Sequence, residues 1–227
     1  MDYNLREEFD LLLNQVTNKI EIIKEIGIPL ILNDTCHILE KIRNEIKDCH
    51  KCVLADSRNQ AVSGEGSSTA RLVFVSDFPG EESNNKGKFY LGNTGKLLNK
   101  IIEVTGIDGR DVYVTNAIKC FVPENHKPDD KEIESCREFL FKELERISPV
   151  LICAMGEIPI KAILNIDEKI KDMHGKNYFF SGIKVIPTFS LNDCLINEEH
   201  KRLVWEDIKV IMKILNLPFK NVLSKVK

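Results

Sequence analysis

The chain has 227 residues, 43% of them hydrophobic, and a formal net charge of −3. That length buries one substantial core, and the near-neutral balance excludes a global positive field, so any contact with a polyanion must be local. The acidic start MDYNLREEFD and the absence of an apolar run of 18 residues argue against a secretory leader or a membrane span. The expectation is a cytoplasmic protein whose seven cysteines stay reduced and serve metal binding, catalysis or burial.

In chain order, Leu5, Phe9, Leu12, Val16, Ile20 and Ile23 recur at helical spacing and predict an amphipathic helix within residues 1–26. GIPL interrupts it, and Asn33 or Asp34 is placed to cap a second helix carrying Ile38, Ile42 and Ile46. We therefore expect a helical extension over 1–47 and a main domain over 48–227. From Arg71 the pattern changes to short β-branched runs alternating with helical ones. RLVFVS is followed by GKLLNKIIEVTG, DVYVTN by DDKEIESCREFLFKELERI, PVLICAM by EIPIKAIL, and KVIPTF by KRLVWEDIKVIMKIL. Such alternation predicts an α/β fold with a parallel four-stranded sheet covered on both faces. Ligands then bind at the carboxyl ends of the strands, just after Val75, Val114, Met155 and Pro187.

Cys49-His50-Lys51-Cys52 is a C-x2-C pair, and Cys120 and Cys136 stand sixteen positions apart, the first in a loop and the second within the following helix. Thiolates from two such segments suit zinc or an iron–sulfur cluster, with four buried thiols as the alternative. Cys36, Cys153 and Cys194 fall in helix or strand patterns and read as core. LGNTGKLL lacks the first glycine and the Ser/Thr of a phosphate-binding P-loop and is not one.

The series CHKCVLADSRNQAVSGEG, ARLVFVSDFPGEES, GKFYLGNTGKLLNKII, VYVTNAIKCFVPENHKPDDKEIESCREFL and VIPTFSLNDCL resembles the type-4 uracil-DNA glycosylases from about Asp48 to about Leu215. The resemblance implies a three-layer α/β/α sandwich and hydrolysis of the N-glycosidic bond of uracil in single- or double-stranded DNA. It also implies a [4Fe-4S] cluster ligated by Cys49, Cys52, Cys120 and Cys136, and a monomer acting on DNA. Asn116 matches the family's uracil-reading asparagine, whose amide supplies a donor to O4 and an acceptor to N3–H; cytosine reverses that pattern and leaves both unpaired. Tyr90 matches the aromatic, usually phenylalanine, that stacks on the flipped base.

The chain also departs from the family. Where relatives read Gly-Glu before Pro-Gly, it has Ser76-Asp77 and then Phe78. Asp77 keeps a carboxylate able to position water, and Phe78 is a bulkier pocket residue. Where the family carries His-Pro-Ser, it has Ser190-Leu191-Asn192, leaving Ser190 or Asn192 as a neutral donor to the departing base. Leu191 or Leu195 is a candidate wedge for the vacated stack, and Lys86, Lys88, Lys96, Lys119 and Lys127 form a candidate phosphate rim. His174 is assigned to the preceding loop. Two other readings remain open: a weakened or inactive relative that binds DNA or a protein, and a glycosylase for a different damaged base.

Overall fold

Four runs of mostly apolar, β-branched residues form the centre of the sheet because each is buried on both faces. In the computed structural model they are β2 (Leu72–Ser76), β3 (Val112–Asn116), β4 (Leu151–Met155) and β6 (Ile183–Thr188). Residues 31–89 and 91–217 are described. The expected four-stranded parallel array is present in the order β3-β2-β4-β6.

Two short antiparallel strands extend it at the edges. β1 (Glu65–Gly66) pairs with β3, and β5 (Tyr178–Phe180) pairs with β6. Neither was expected from the sequence, since two or three residues carry no readable alternation.

Among the described residues the helices begin with α1 (Ile31–Lys47) and the single turn α2 (Leu54–Ser57), followed by α3 (Glu81–Lys86) and α4 (Gly92–Thr105). After β3 come α5 (Asp130–Ile147), α6 (Glu157–Leu164), α7 (Ile170–Met173), α8 (Leu191–Ile196) and α9 (Glu198–Ile214). Asp129 starts α5 with a complete capping box: its carboxylate takes the Glu132 N–H, and Glu132 returns a carboxylate to the Asp129 N–H. Helix α6 packs on β2 and β4, α9 on β6, and α4 against α8, so the sheet lies between helical layers.

Residues 39–227 form one compact unit and residues 1–38 another, of which 31–38 are described. The helix expected within 1–26 lies outside the described residues. Helix α1 starts at Ile31, so Asn33 and Asp34 lie inside it rather than at its cap. Cys36, expected in the core, is exposed, while Cys153 and Cys194 are buried as expected. No helix among the described residues is long and apolar enough to cross a membrane.

From β2 the chain crosses to β3 on one side, and its later strands β4 and β6 lie on the other. The carboxyl ends of the central strands therefore flank a switch point, the crevice where open α/β sheets bind ligands.

Candidate functional site

The ends of β2 and β3 stay locked beyond the last ladder pair, Ser76 opposite Asn116. Ala117 N–H donates to the Ser76 carbonyl at 2.8 Å and Ile118 N–H to the Asp77 carbonyl at 3.0 Å. These bonds hold Asp77 and Asn116 side by side at the mouth of the crevice. A cavity of about 70 Å³ opens there, lined by Asp77, Phe78, Asn116, Met155, Leu191 and Asn192, with Phe89 and Leu98 closing its sides. That volume holds about five waters, the size class of a single pyrimidine ring.

Asn116 is 2% exposed. Lys119 Nζ donates to its backbone carbonyl at 2.8 Å, while no group among the described residues bonds its side-chain amide, so the amide is available to a ligand. The ammonium holding this carbonyl is itself buried: Lys119 Nζ lies 2.6 Å from both Glu143 Oε2 and Thr115 Oγ1. Glu143 also accepts from Thr115 Oγ1, Tyr113 Oη and the Gly64 N–H. This corrects the expected phosphate rim, because Lys119 is committed to the interior by a carboxylate 24 residues downstream. Lys86, Lys88, Lys96 and Lys127 are exposed and remain on the surface around these loops.

The Asp77 carboxyl turns towards the start of α6. It takes the Ile158 N–H, and its Oδ1 is buried without a partner. Burial first, then the negative charges of Asp193 and Glu157, push its pKa up to about 8 against the pull of that N–H. The space it occupies exists because residue 156 is glycine: a Cβ there would sit 2.3 Å from Oδ1, and the backbone has φ +116°. Gly156→Ala should therefore expel the carboxyl and strain the turn, lowering stability by on the order of 3 kcal/mol; a thermal melt unchanged from wild type would contradict this packing.

Ser190 is 6% exposed, and its hydroxyl oxygen caps α8 by accepting the Asp193 N–H at 3.1 Å. It is not among the residues lining the cavity, whereas its neighbours Leu191 and Asn192 are. Upstream, Thr188 Oγ1 donates to Asp207 Oδ2 at 2.6 Å, and His174 Nδ1 lies 3.1 Å from Asp207 Oδ1. His174 and His200 flank the Phe189 ring at centroid distances of 5.2 and 4.3 Å. His174 thus supports the turn into Ser190, in line with its assignment to a loop. Leu191 is buried, while Leu195 is 43% exposed and Ile196 88%.

Phe89 as a cavity wall is an addition of the tertiary structure, whereas Asn192, expected as a donor, and Met155, expected at a strand end facing the ligand, both line the cavity. Glu65 accepts the Phe89 N–H at 3.0 Å and ties β1 to that wall. Tyr90 lies outside the described residues.

The four cysteines of the two pairs come from three segments. Cys49 and Cys52 follow α1, Cys120 lies four residues past Asn116, and Cys136 sits on the buried face of α5. Burial raises the thiols of Cys52 and Cys120 and pushes Cys136 up to about 12, and charges on neighbouring members of the set add to each rise. The N–H groups of Leu54 and Ala55 act on Cys52 in the opposite sense, as the Lys119 N–H does on Cys136. Lys51, inside the C-x2-C, pairs with Glu138 on α5.

Among the described residues no three His, Cys, Asp or Glu side chains converge closely enough for one metal ion. Cys49, Cys52, Cys120 and Cys136 nevertheless lie within electrostatic reach of one another and meet backbone N–H groups, and thiolates are the ligand type of both zinc and iron–sulfur sites.

Residues 63–209 match the uracil DNA glycosylase superfamily. The chain is 34% identical over 189 residues to a type-4 uracil-DNA glycosylase of Sulfurisphaera tokodaii, covering 79% of this chain and 86% of that protein. It is 35% identical over 176 residues to the type-4 uracil-DNA glycosylase of Thermotoga maritima, covering 76% and 92%, and 33% identical over 187 residues to that of Saccharolobus solfataricus, covering 78% and 87%. The chain belongs to the uracil DNA glycosylase superfamily and, within it, to the type-4 family.

Proposed function

We propose that this protein is a uracil-DNA glycosylase of base excision repair: it hydrolyses the N-glycosidic bond of uracil in single- or double-stranded DNA and leaves an abasic site. The observation that carries the reading is the buried side-chain amide of Asn116, bonded by no group among the described residues, in a cavity of pyrimidine size at the sheet's switch point. Within it Asn116 reads O4 and N3–H and Phe78 lines the base pocket; stacking on the flipped base is assigned to Tyr90 on the resemblance to the family. Asp77, as carboxylate, orients the attacking water at the anomeric carbon. The base leaves as an anion, and its O2 takes a hydrogen bond from the loop after β6. Ser190 and Asn192 are the donors of that loop, and the place of Asn192 on the cavity wall favours it.

Cys49, Cys52, Cys120 and Cys136 would hold a [4Fe-4S] cluster, whose contribution is to cross-link the C-x2-C loop, the Asn116 loop and α5. Purified without oxygen, the protein should absorb at about 400 nm and carry about four irons per chain; zinc in place of iron would overturn the assignment. We place the glycosylase domain at 48–227, with 1–47 as a helical extension, and read the protein as a cytoplasmic monomer whose exposed Lys86, Lys88, Lys96 and Lys127 meet phosphates. Exposed Leu195 is the side chain available to fill the vacated stack.

The test is uracil release from a single-stranded uracil-containing oligonucleotide with enzyme in excess, beside Asn116→Ala. Excision that disappears in the variant is the expected result. A second reading is favoured by Ser190, whose hydroxyl caps α8 where the family has histidine. Loss of one such donor typically costs about 10²–10³ in rate, so turnover should be slow. No release by cluster-loaded protein over hours would point to a relative that binds DNA or a protein, or acts on another base.

The pH profile is a separate check. If ionised Asp77 is needed, kcat/KM should rise about tenfold per unit below its pKa of about 8 and level off above it. A profile flat between pH 6 and 8 would remove Asp77 from the chemistry.

A further inference from the structure

Arg58 stands on the loop after α2, between the C-x2-C and the sheet. Its Nη1 donates to Cys120 Sγ at 3.0 Å, and its Nη2 to the carbonyls of Lys47 and Cys49 at 3.0 and 2.7 Å. One planar fork thus joins the end of α1, the first cysteine loop and the loop beyond Asn116, the last of these 62 residues away in sequence. Among the described residues no carboxylate pairs with this guanidinium, so its charge is directed at a sulfur and two carbonyls.

The electrostatics of the place explain the need for it. Cys49 and Cys52 follow the C-terminal end of α1, where unsatisfied carbonyls and the helix dipole are negative. That end is unfavourable for an anion, and four thiolates are four negative charges. Lys51, the cation inside the C-x2-C, is already paired with Glu138. Arg58 satisfies the carbonyls and faces the thiolates at once, which the point charge of a lysine cannot do in that geometry.

We propose that Arg58 is a positioning residue of the cluster site: it holds the Cys49 and Cys120 segments in register before iron arrives and supplies the positive charge that balances the thiolate-ligated, anionic cluster. The inference rests on the cluster reading above. It also extends to the pocket, since Cys120 is four residues past Asn116 on the same loop.

The test compares full-length wild type, Arg58→Met and Arg58→Lys, purified without oxygen. Iron and acid-labile sulfide are counted per chain, and bleaching at about 400 nm is timed in a ferrous-iron chelator, with far-UV circular dichroism as the folding control. Partners of metal ligands typically contribute about 10–100-fold to metal affinity. Arg58→Met should therefore hold less iron and bleach roughly tenfold faster or more, with Arg58→Lys in between.

Met-variant protein that is folded, fully loaded and bleaches at the wild-type rate would overturn the proposal while leaving the cluster reading intact. Wild type without iron would overturn both. Should Arg58→Met not fold, Arg58→Lys decides the matter, because it keeps the charge and loses the fork; wild-type bleaching there would equally refute the clamp.

Discussion

Asp77→Asn is expected to abolish excision and, at alkaline pH, to make the protein more stable. The folded-state pKa of Asp77 is about 8 against an ordinary 3.8, so the fold favours the protonated acid. Its stabilising preference is complete below pH 3.8 and is lost progressively as the pH rises to about 8, where folding has to tolerate a buried carboxylate. Each pKa unit is worth about 1.4 kcal/mol, and the rise from 3.8 to about 8 therefore sets an upper bound of about 6 kcal/mol. Residual solvent contact of the residue reduces this to on the order of 3 kcal/mol. The neutral amide avoids that cost, and for a chain of this size the melting temperature should rise by roughly 10 °C at pH 8. At pH 4 the variant and wild type should melt together. Equal melting at both pH values would show that the carboxyl is not buried as described, whatever happens to activity. A more stable, inactive Asn variant is the signature of a site that trades stability for chemistry.

Lys119→Met should be among the most damaging single changes in the chain. It leaves Glu143 with three neutral donors inside the protein, and breaking a buried pair from one side typically costs about 3–5 kcal/mol. Glu143→Gln strands the ammonium in the same way. Lys119→Met combined with Glu143→Leu removes both charges and should recover much of the loss, because the desolvation penalty goes with them. The double variant also separates folding from function. With the ammonium gone, the Asn116 carbonyl loses its 2.8 Å partner, so a refolded double variant should still excise uracil poorly. Additive stability losses in the double variant would argue against a coupled pair.

The strand ends were legible because burial on both faces writes itself as continuous β-branched runs, and all four parallel strands end where Val75, Val114, Met155 and Pro187 had indicated, within a residue or two. Helix α5 was legible from its acidic start and apolar spacing. The two edge strands were not, being too short to carry a period. Lys119 was misplaced on the surface for a simple reason: a lone lysine beside a loop reads as solvated, and its partner Glu143 lies on another element.

By itself, then, the sequence determined the alternating α/β order, the asparagine at the end of β3 and the spacing of two cysteine pairs, all of which are local patterns along the chain. The tertiary structure alone decided that Lys119 points inward to Glu143, that the Asp77 carboxyl rests against Gly156, that the Ser190 hydroxyl caps α8 while Asn192 faces the cavity, and that Arg58 meets Cys120. Most of these depend on partners far along the chain, and the Ser190–Asn192 division depends on which way a helix start faces. Side-chain direction and the pairing of buried charges are set by where distant elements pack, which no periodicity records.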